Sequence, residues 1–123
     1  MIDTRKQTGT KGEDFASRYL EQAGIKIIER NWRCQAGEAD IIADESGTLV
    51  FVEVKTRRSI AAGFPEESVT KAKRRRYETI AAYYLSLNDS PSTRVRFDVI
   101  GVMLTGEEQA FVKHHRDVFA AGE

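Results

Sequence analysis

"LVFVEVK" (Leu49–Lys55) reads as a β-strand, since five of its seven residues are Leu, Val or Phe. That composition belongs to a strand covered on both faces. Side chains alternate along a strand, so Val50, Val52 and Val54 share one face and Phe51, Glu53 and Lys55 the other. The valine face is expected to be core. The other face carries a carboxylate and an ammonium group within an apolar run, where desolvating a charge is expensive unless it is paired or metal-bound.

Working outward, "ESGT" (45–48) is a tight turn, and "EADIIAD" (38–44) before it is a second apolar strand. The two are expected to form an antiparallel hairpin. On the earlier strand Glu38, Asp40, Ile42 and Asp44 share a face, opposite Ala39, Ile41 and Ala43. Hairpin pairing can bring Asp40 close to Glu53, although the sequence leaves the register open. Further out, "IKIIERNWRC" (25–34) reads as a strand. Thr10-Lys11-Gly12-Glu13 has the form of a capping box that opens the helix "DFASRYLEQAG", closed at Gly24. Residues 1–9 read as a flexible tail and 10–123 as a single domain.

Towards the C-terminus, "RRSIAAGFPEES" (57–68) is a loop. A long helix follows over 69–87, with Val69, Ala72, Ile80, Tyr84 and Leu87 on one side. "NDSPST" (88–93) is a loop, "RVRFDVIGVML" (94–104) a fourth strand and "QAFVKHH" (109–115) a short fifth. The order αβββαβ(β) predicts an α/β fold with a mixed sheet and helices packed on it.

At 123 residues, 41% hydrophobic and 31% charged, the chain has the composition of one globular domain. No apolar run approaches the roughly 18 residues of a membrane span. "MIDTRKQTGTKGED" has no apolar segment of the kind a secretion signal needs. The one cysteine, Cys34, cannot form an internal disulfide, and the expected location is the cytoplasm.

Net charge is zero, which alone argues against a polyanionic partner. The distribution argues for one. Residues 37–53 hold five acidic residues and no basic one, whereas 55–76 hold eight basic residues against Glu66 and Glu67. An acidic cluster abutting a basic one suits a metal ion beside a polyanion, although such blocks are more commonly solvated surface.

Asp, Glu and Lys facing one point have a defined chemistry. Adjacent carboxylates repel unless a proton or cation lies between them, and Mg²⁺ typically takes one or two carboxylates with waters and phosphate. A nearby lysine such as Lys55 can orient or deprotonate a water and neutralise charge on a phosphodiester. The bland alternative is a Glu53–Lys55 ion pair on a half-exposed strand. Glu13 shares a helix face with Ala16 and Leu20. It is either a third acid facing the sheet or the capping-box partner of Thr10. His114 and His115 invite a metal or general-base role, but adjacent positions on a strand point to opposite faces, so the two cannot serve one site, and they are read as solvent-facing residues instead.

These pieces, in order and spacing, resemble the YraN family of predicted bacterial endonucleases, within the PD-(D/E)xK superfamily that includes restriction enzymes and Holliday-junction resolvases. The resemblance runs from about Gly12 to Val102. It rests on "GE" at 12–13, "YL" at 19–20, Gly24, "RNWR" at 30–33, "GEAD" at 37–40, "FVEVKTR" at 51–57, Lys73 in a basic helix, and "RFDV" at 96–99. Ala39 departs from the pattern, where the family usually has a bulkier aliphatic residue.

The resemblance implies a restriction-endonuclease-like central mixed sheet flanked by helices. It makes Asp40 and Glu53 the acids holding Mg²⁺ or Mn²⁺, Lys55 the catalytic lysine, and Glu13 an additional helix acid. Lys71, Lys73, Arg74, Arg75 and Arg76 would contact DNA phosphates, and Arg96 and Asp98 would border the site. The implied activity is endonucleolytic hydrolysis of branched or structured DNA in repair or recombination. By analogy with resolvases a homodimer is expected; any helicase or recombination partner is left open. The alternative is a non-catalytic DNA-binding or adaptor module retaining the nuclease fold. A hydrolase of small phosphate esters fits the basic segment least well.

Overall fold

The computed structural model describes residues 4–58, 70–88 and 94–119. Within them lie helices α1 (Thr4–Gln22) and α2 (Lys71–Leu87). The strands are β1 (Lys26–Cys34), β2 (Gly37–Glu45), β3 (Thr48–Arg57), β4 (Arg94–Gly106) and β5 (Gln109–His115). They form one sheet in the order β1-β2-β3-β4-β5. β3 and β4 are parallel and the other neighbours antiparallel, so the sheet is mixed, as the element order predicts. A parallel pair needs a long crossover, and α2 lies within it.

The β2–β3 turn sets the register that matters for function. Ser46 and Gly47 both have positive φ, +51° and +94°, as a tight two-residue hairpin turn requires. Asp44 Oδ1 accepts the Gly47 N–H at 3.1 Å. From this turn the strands pair from Glu45 with Thr48 out to Ile41 with Val52.

A helix covers each face. Ala16 and Leu20 of α1 pack with Ile41, Ala43, Val50, Val52, Ile100 and Val102. Tyr77, Ile80, Ala81 and Tyr84 of α2 pack with Ala39, Ile42, Leu49 and Phe51. The valine face is therefore only half of the core: Leu49 and Phe51, pointing the other way, are as buried as Val50 and Val52. On β2, Ala39 and Ile41 lie in different clusters, so strict alternation fails around Asp40.

Two helix boundaries differ from the sequence reading. α1 begins at Thr4, so residues 4–9 are helix rather than tail, and Thr10–Glu13 lies in its interior rather than at a cap. Residues 1–3 lie outside the described segments. Gly12 is a poor helix former, but it lets α1 approach β3: a Cβ there would stand 1.9 Å from Thr56 Oγ1.

α2 begins at Lys71, with Thr70 Oγ1 accepting the Lys73 N–H at 3.1 Å. Its buried stripe is Tyr77, Ile80, Ala81 and Tyr84; Ala72 and Leu87, expected there, are exposed. The phase follows the aromatics, since Tyr84 meets Trp32 and Phe51 edge-on at 5.2 and 6.0 Å. Val69 and most of both predicted loops lie outside the described residues. No helix among the described residues is long and apolar enough to cross a membrane.

Candidate functional site

Where the β2–β3 ladder ends, the acids begin. The pair beyond Ile41–Val52 would be Asp40–Glu53. There the Asp40 carboxylate reaches across the strands, Oδ2 accepting the Val54 N–H at 2.8 Å. Burial pushes the Asp40 carboxyl up to about 7; the Val54 bond opposes the rise, and the charges of Glu13, Glu53 and Glu38 add to it.

Glu13 arrives from α1 and turns to the sheet. Its Oε1 accepts from Asn31 Nδ2 at 3.1 Å and lies 3.7 Å from the Arg30 guanidinium, whose closer partner is Asp14 at 2.9 Å. With the helix continuous through it, Glu13 is not a cap. Asn31 itself has φ +55° within β1, a conformation Asn tolerates better than most residues.

α2 supplies the other side of Glu53. Lys73 Nζ lies 2.5 Å from Glu53 Oε2, and the Tyr77 hydroxyl, one turn on, donates to the same carboxylate. Burial and the charges of Glu53 and Asp40 push the Tyr77 phenol above its ordinary range. Lys55 stands two residues beyond Glu53 on β3, half-buried, opposite Gly101 of β4.

Geometry thus gathers Glu13, Asp40, Glu53 and Lys73, and divides the five basic residues of α2. Lys71 and Arg75, one turn apart, are exposed. Arg74 pairs with Glu78 at 3.2 Å and lies 5.6 Å from the Phe119 ring centre. Arg76 is exposed, but its aliphatic stem lies over Gly37, where a Cβ would stand 3.1 Å from Arg76 Cδ. Lys73, expected on the outer face with them, points inward.

Arg96 and Asp98 belong to a separate charged network, although Asp98 lines the same small cavity as Glu53 and Tyr77. Asp98 sits on the α1 side of the sheet, its carboxylate fully buried, bonded to Arg96 Nε at 3.0 Å, His114 Nε2 at 2.8 Å and the Asp117 N–H at 2.9 Å. Arg96 continues to Glu45 at 2.7 Å, which also accepts from Arg116 at 2.7 Å. Burial would raise the Asp98 carboxyl, but the bonds from His114, Arg96 and Asp117 outweigh it and hold it below the usual range. An ionised Asp98 can only accept, so His114 Nε2 carries a proton. Nδ1 lies 3.0 Å from the Tyr19 hydroxyl. His114, expected at the surface, has a side chain only 4% exposed. The correction is physical: β5 faces α1 at this position, and Asp98 and Tyr19 satisfy both ring nitrogens.

Among the described residues no group of three or more His, Cys, Asp or Glu is arranged to hold a metal ion. Asp40 and Glu53 nevertheless fit an ion that needs one or two carboxylates and completes its shell with water and phosphate, as Mg²⁺ does. A cation would relieve the repulsion that helps lift Asp40. Asn31, Tyr77 and His114 are partners that the motifs do not point to. An Asn within a strand is one signal that was available, because Asn is depleted there. Tyr77 standing four residues after Lys73 is another, because such pairs share a helix face.

The model of the family described as "Uncharacterised protein family UPF0102" matches residues 12–102. A UPF0102 protein of Rhodococcus opacus (strain B4) is 49% identical over 111 residues, covering 90% of this chain and 94% of the relative. One from Lachnoclostridium phytofermentans is 47% identical over 118 residues, 95% of this chain and 98% of the relative. A third, GSU0650 of Geobacter sulfurreducens, is 40% identical over 114 residues, 93% and 89% of the two chains.

Proposed function

The chain belongs to the UPF0102 family, and from the geometry of its acidic site we propose that it is a metal-dependent endonuclease acting on branched or structured DNA. The observation that carries this reading is the meeting of Asp40 and Glu53 where two strands separate, with Glu13 alongside and the basic helix α2 starting beside them. The resemblance to the PD-(D/E)xK nucleases supports it, and with it a restriction-endonuclease-like form of the sheet.

In this reading Asp40 and Glu53 hold Mg²⁺ or Mn²⁺, which when bound supplies electrostatic stabilisation of the charge building on the phosphoryl oxygens. The chain's own residues do the rest. Rigid strands keep the carboxylates in place, and the Val54 N–H fixes the orientation of Asp40. Lys55, on the same strand as Glu53, orients an attacking water and offsets negative charge at the phosphodiester. Lys71 and Arg75, exposed on α2, contact flanking phosphates. In-line attack leaves a 5′-phosphate and a 3′-hydroxyl. The proposed setting is cytoplasmic DNA repair or recombination, with a homodimer doubling the basic surface. A monomer by sedimentation at micromolar concentration removes the dimer.

One observation favours a second reading, a DNA-binding or adaptor module that does not turn over substrate. Lys73 and Tyr77 already satisfy Glu53 within the chain. A cleavage assay separates the two. Duplex, single-stranded, flap and four-way-junction DNA are incubated with protein in Mg²⁺, Mn²⁺ or EDTA, beside Glu53→Ala and Lys55→Ala. Metal-dependent cutting lost in both variants is expected. DNA binding without cutting in any metal, alike in wild type and variants, leaves the adaptor.

A further inference from the structure

Lys73 belongs by sequence to "KAKRRR" (71–76), a run that reads as one solvent-facing basic surface. The fold treats it differently from its neighbours. Its backbone N–H is held by Thr70 Oγ1 at 3.1 Å, which fixes Lys73 in the first turn of α2. From there its ammonium reaches Glu53, whose side chain is 13% exposed. Tyr77, one turn on, bonds the same carboxylate. The first two turns of the basic helix are thus docked on the acidic site through a single acid.

An ammonium and a divalent cation seek the same carboxylate oxygens. Mg²⁺ and Mn²⁺ need Glu53 as an inner ligand at roughly 2.1 Å, whereas an ammonium hydrogen-bonds from further out. A site that holds one holds the other less well. Lysine has a long, flexible stem, so its head can leave without moving the helix. Directly beyond the site the chain is most basic, so an approaching polyanion offers Nζ an alternative oxygen.

We propose that Lys73 is the resident counter-cation of Glu53. It competes with a divalent cation for this carboxylate and is drawn away by a phosphate of the bound polyanion, so that the ion loads together with the nucleic acid. This rests on the reading of Asp40 and Glu53 as the metal-holding acids. It assigns Lys73 a positioning role distinct from the phosphate contacts of Lys71 and Arg75. Coupling of this kind is reciprocal: the polyanion strengthens metal binding by the factor by which the metal strengthens polyanion binding.

The test is Mn²⁺ titration without DNA, followed by the electron paramagnetic resonance of the free ion, at one pH and ionic strength. Lys73→Met removes the competing charge while keeping the stem, and is expected to bind Mn²⁺ about tenfold more tightly than wild type. Lys73→Arg, which retains a cation, is expected to match wild type, and circular dichroism checks that both variants fold. Unchanged or weaker Mn²⁺ binding by Lys73→Met overturns the proposal. Glu53→Gln separates that failure from failure of the site itself. If Glu53→Gln binds Mn²⁺ as wild type does, or if neither wild type nor Lys73→Met binds it, the metal reading of the acids falls and the role of Lys73 with it.

Discussion

Asp40 and Asp98 are carboxylates buried under opposite conditions, and their pH signatures have opposite signs. Asp40 binds its proton more tightly folded than unfolded, up to about 7 against an ordinary 3.8. Between those values the folded state holds the extra proton, so stability falls as pH rises and the loss is complete above about 7. Asp40→Asn keeps an acceptor for the Val54 N–H and removes the charge. Urea denaturation in EDTA is expected to show the variant more stable by about 1–3 kcal/mol at pH 8, with little difference near pH 4. Asp98 binds its proton less tightly folded than unfolded. Its contribution is present above the unfolded value near 3.9 and is lost only as pH falls through the still lower folded value. Asp98→Asn leaves His114 and Arg96 facing a neutral group, and is expected to cost about 3 kcal/mol at pH 7. That difference closes only in acid below about pH 4, which chemical denaturation across pH reads directly.

At the scale of elements, α1 is placed by a glycine. Gly12→Ala gains about 1 kcal/mol in helix propensity. The new methyl group, however, would stand 1.9 Å from Thr56 Oγ1 and 2.8 Å from Thr56 Cβ. Rotating Thr56 moves its Oγ1 but not its Cβ, so α1 must shift, at a cost of about 1–3 kcal/mol. The clash wins: Gly12→Ala is expected to lower the melting temperature, and Thr56→Ser, which leaves the glycine intact, to perturb it less. Because Glu13 is the next residue, the same shift would weaken its bond to Asn31. The phase of α2 is set in a comparable way, by Tyr77 and Tyr84 seating against Phe51, Trp32 and their neighbours. That phase turns Lys73 in and leaves Lys71 and Arg75 out.

The molecule as a whole carries no net charge, so any grip on nucleic acid comes from how charge is distributed. The exposed cations of α2 are expected to give DNA binding that weakens steeply with salt and depends little on sequence. Lys71→Gln with Arg75→Gln should reduce the slope of log K against log salt by about two, at roughly 0.9 per phosphate contact. A fluorescence anisotropy titration over a range of salt measures it, and an unchanged slope means DNA does not lie along this face.

Features that act over short distances are legible in the chain before it folds. Alternation and β-branched residues located the strands, "SG" located the tight turn, and the clustering of acids before Lys55 pointed to Asp40 and Glu53. Which charges meet was set by packing between elements. Whether Glu13 caps a helix or faces the sheet depended on α1 continuing back to Thr4 and docking through Gly12 on β3. Whether Lys73 faces solvent depended on the aromatic seat of α2, and His114 was buried by Asp98 and Tyr19, 16 and 95 residues away in the chain. Local preferences extend over a turn or a pleat. A charged side chain's partner is chosen by packing between elements far apart in sequence, where an unpaired charge costs more than any local preference can supply.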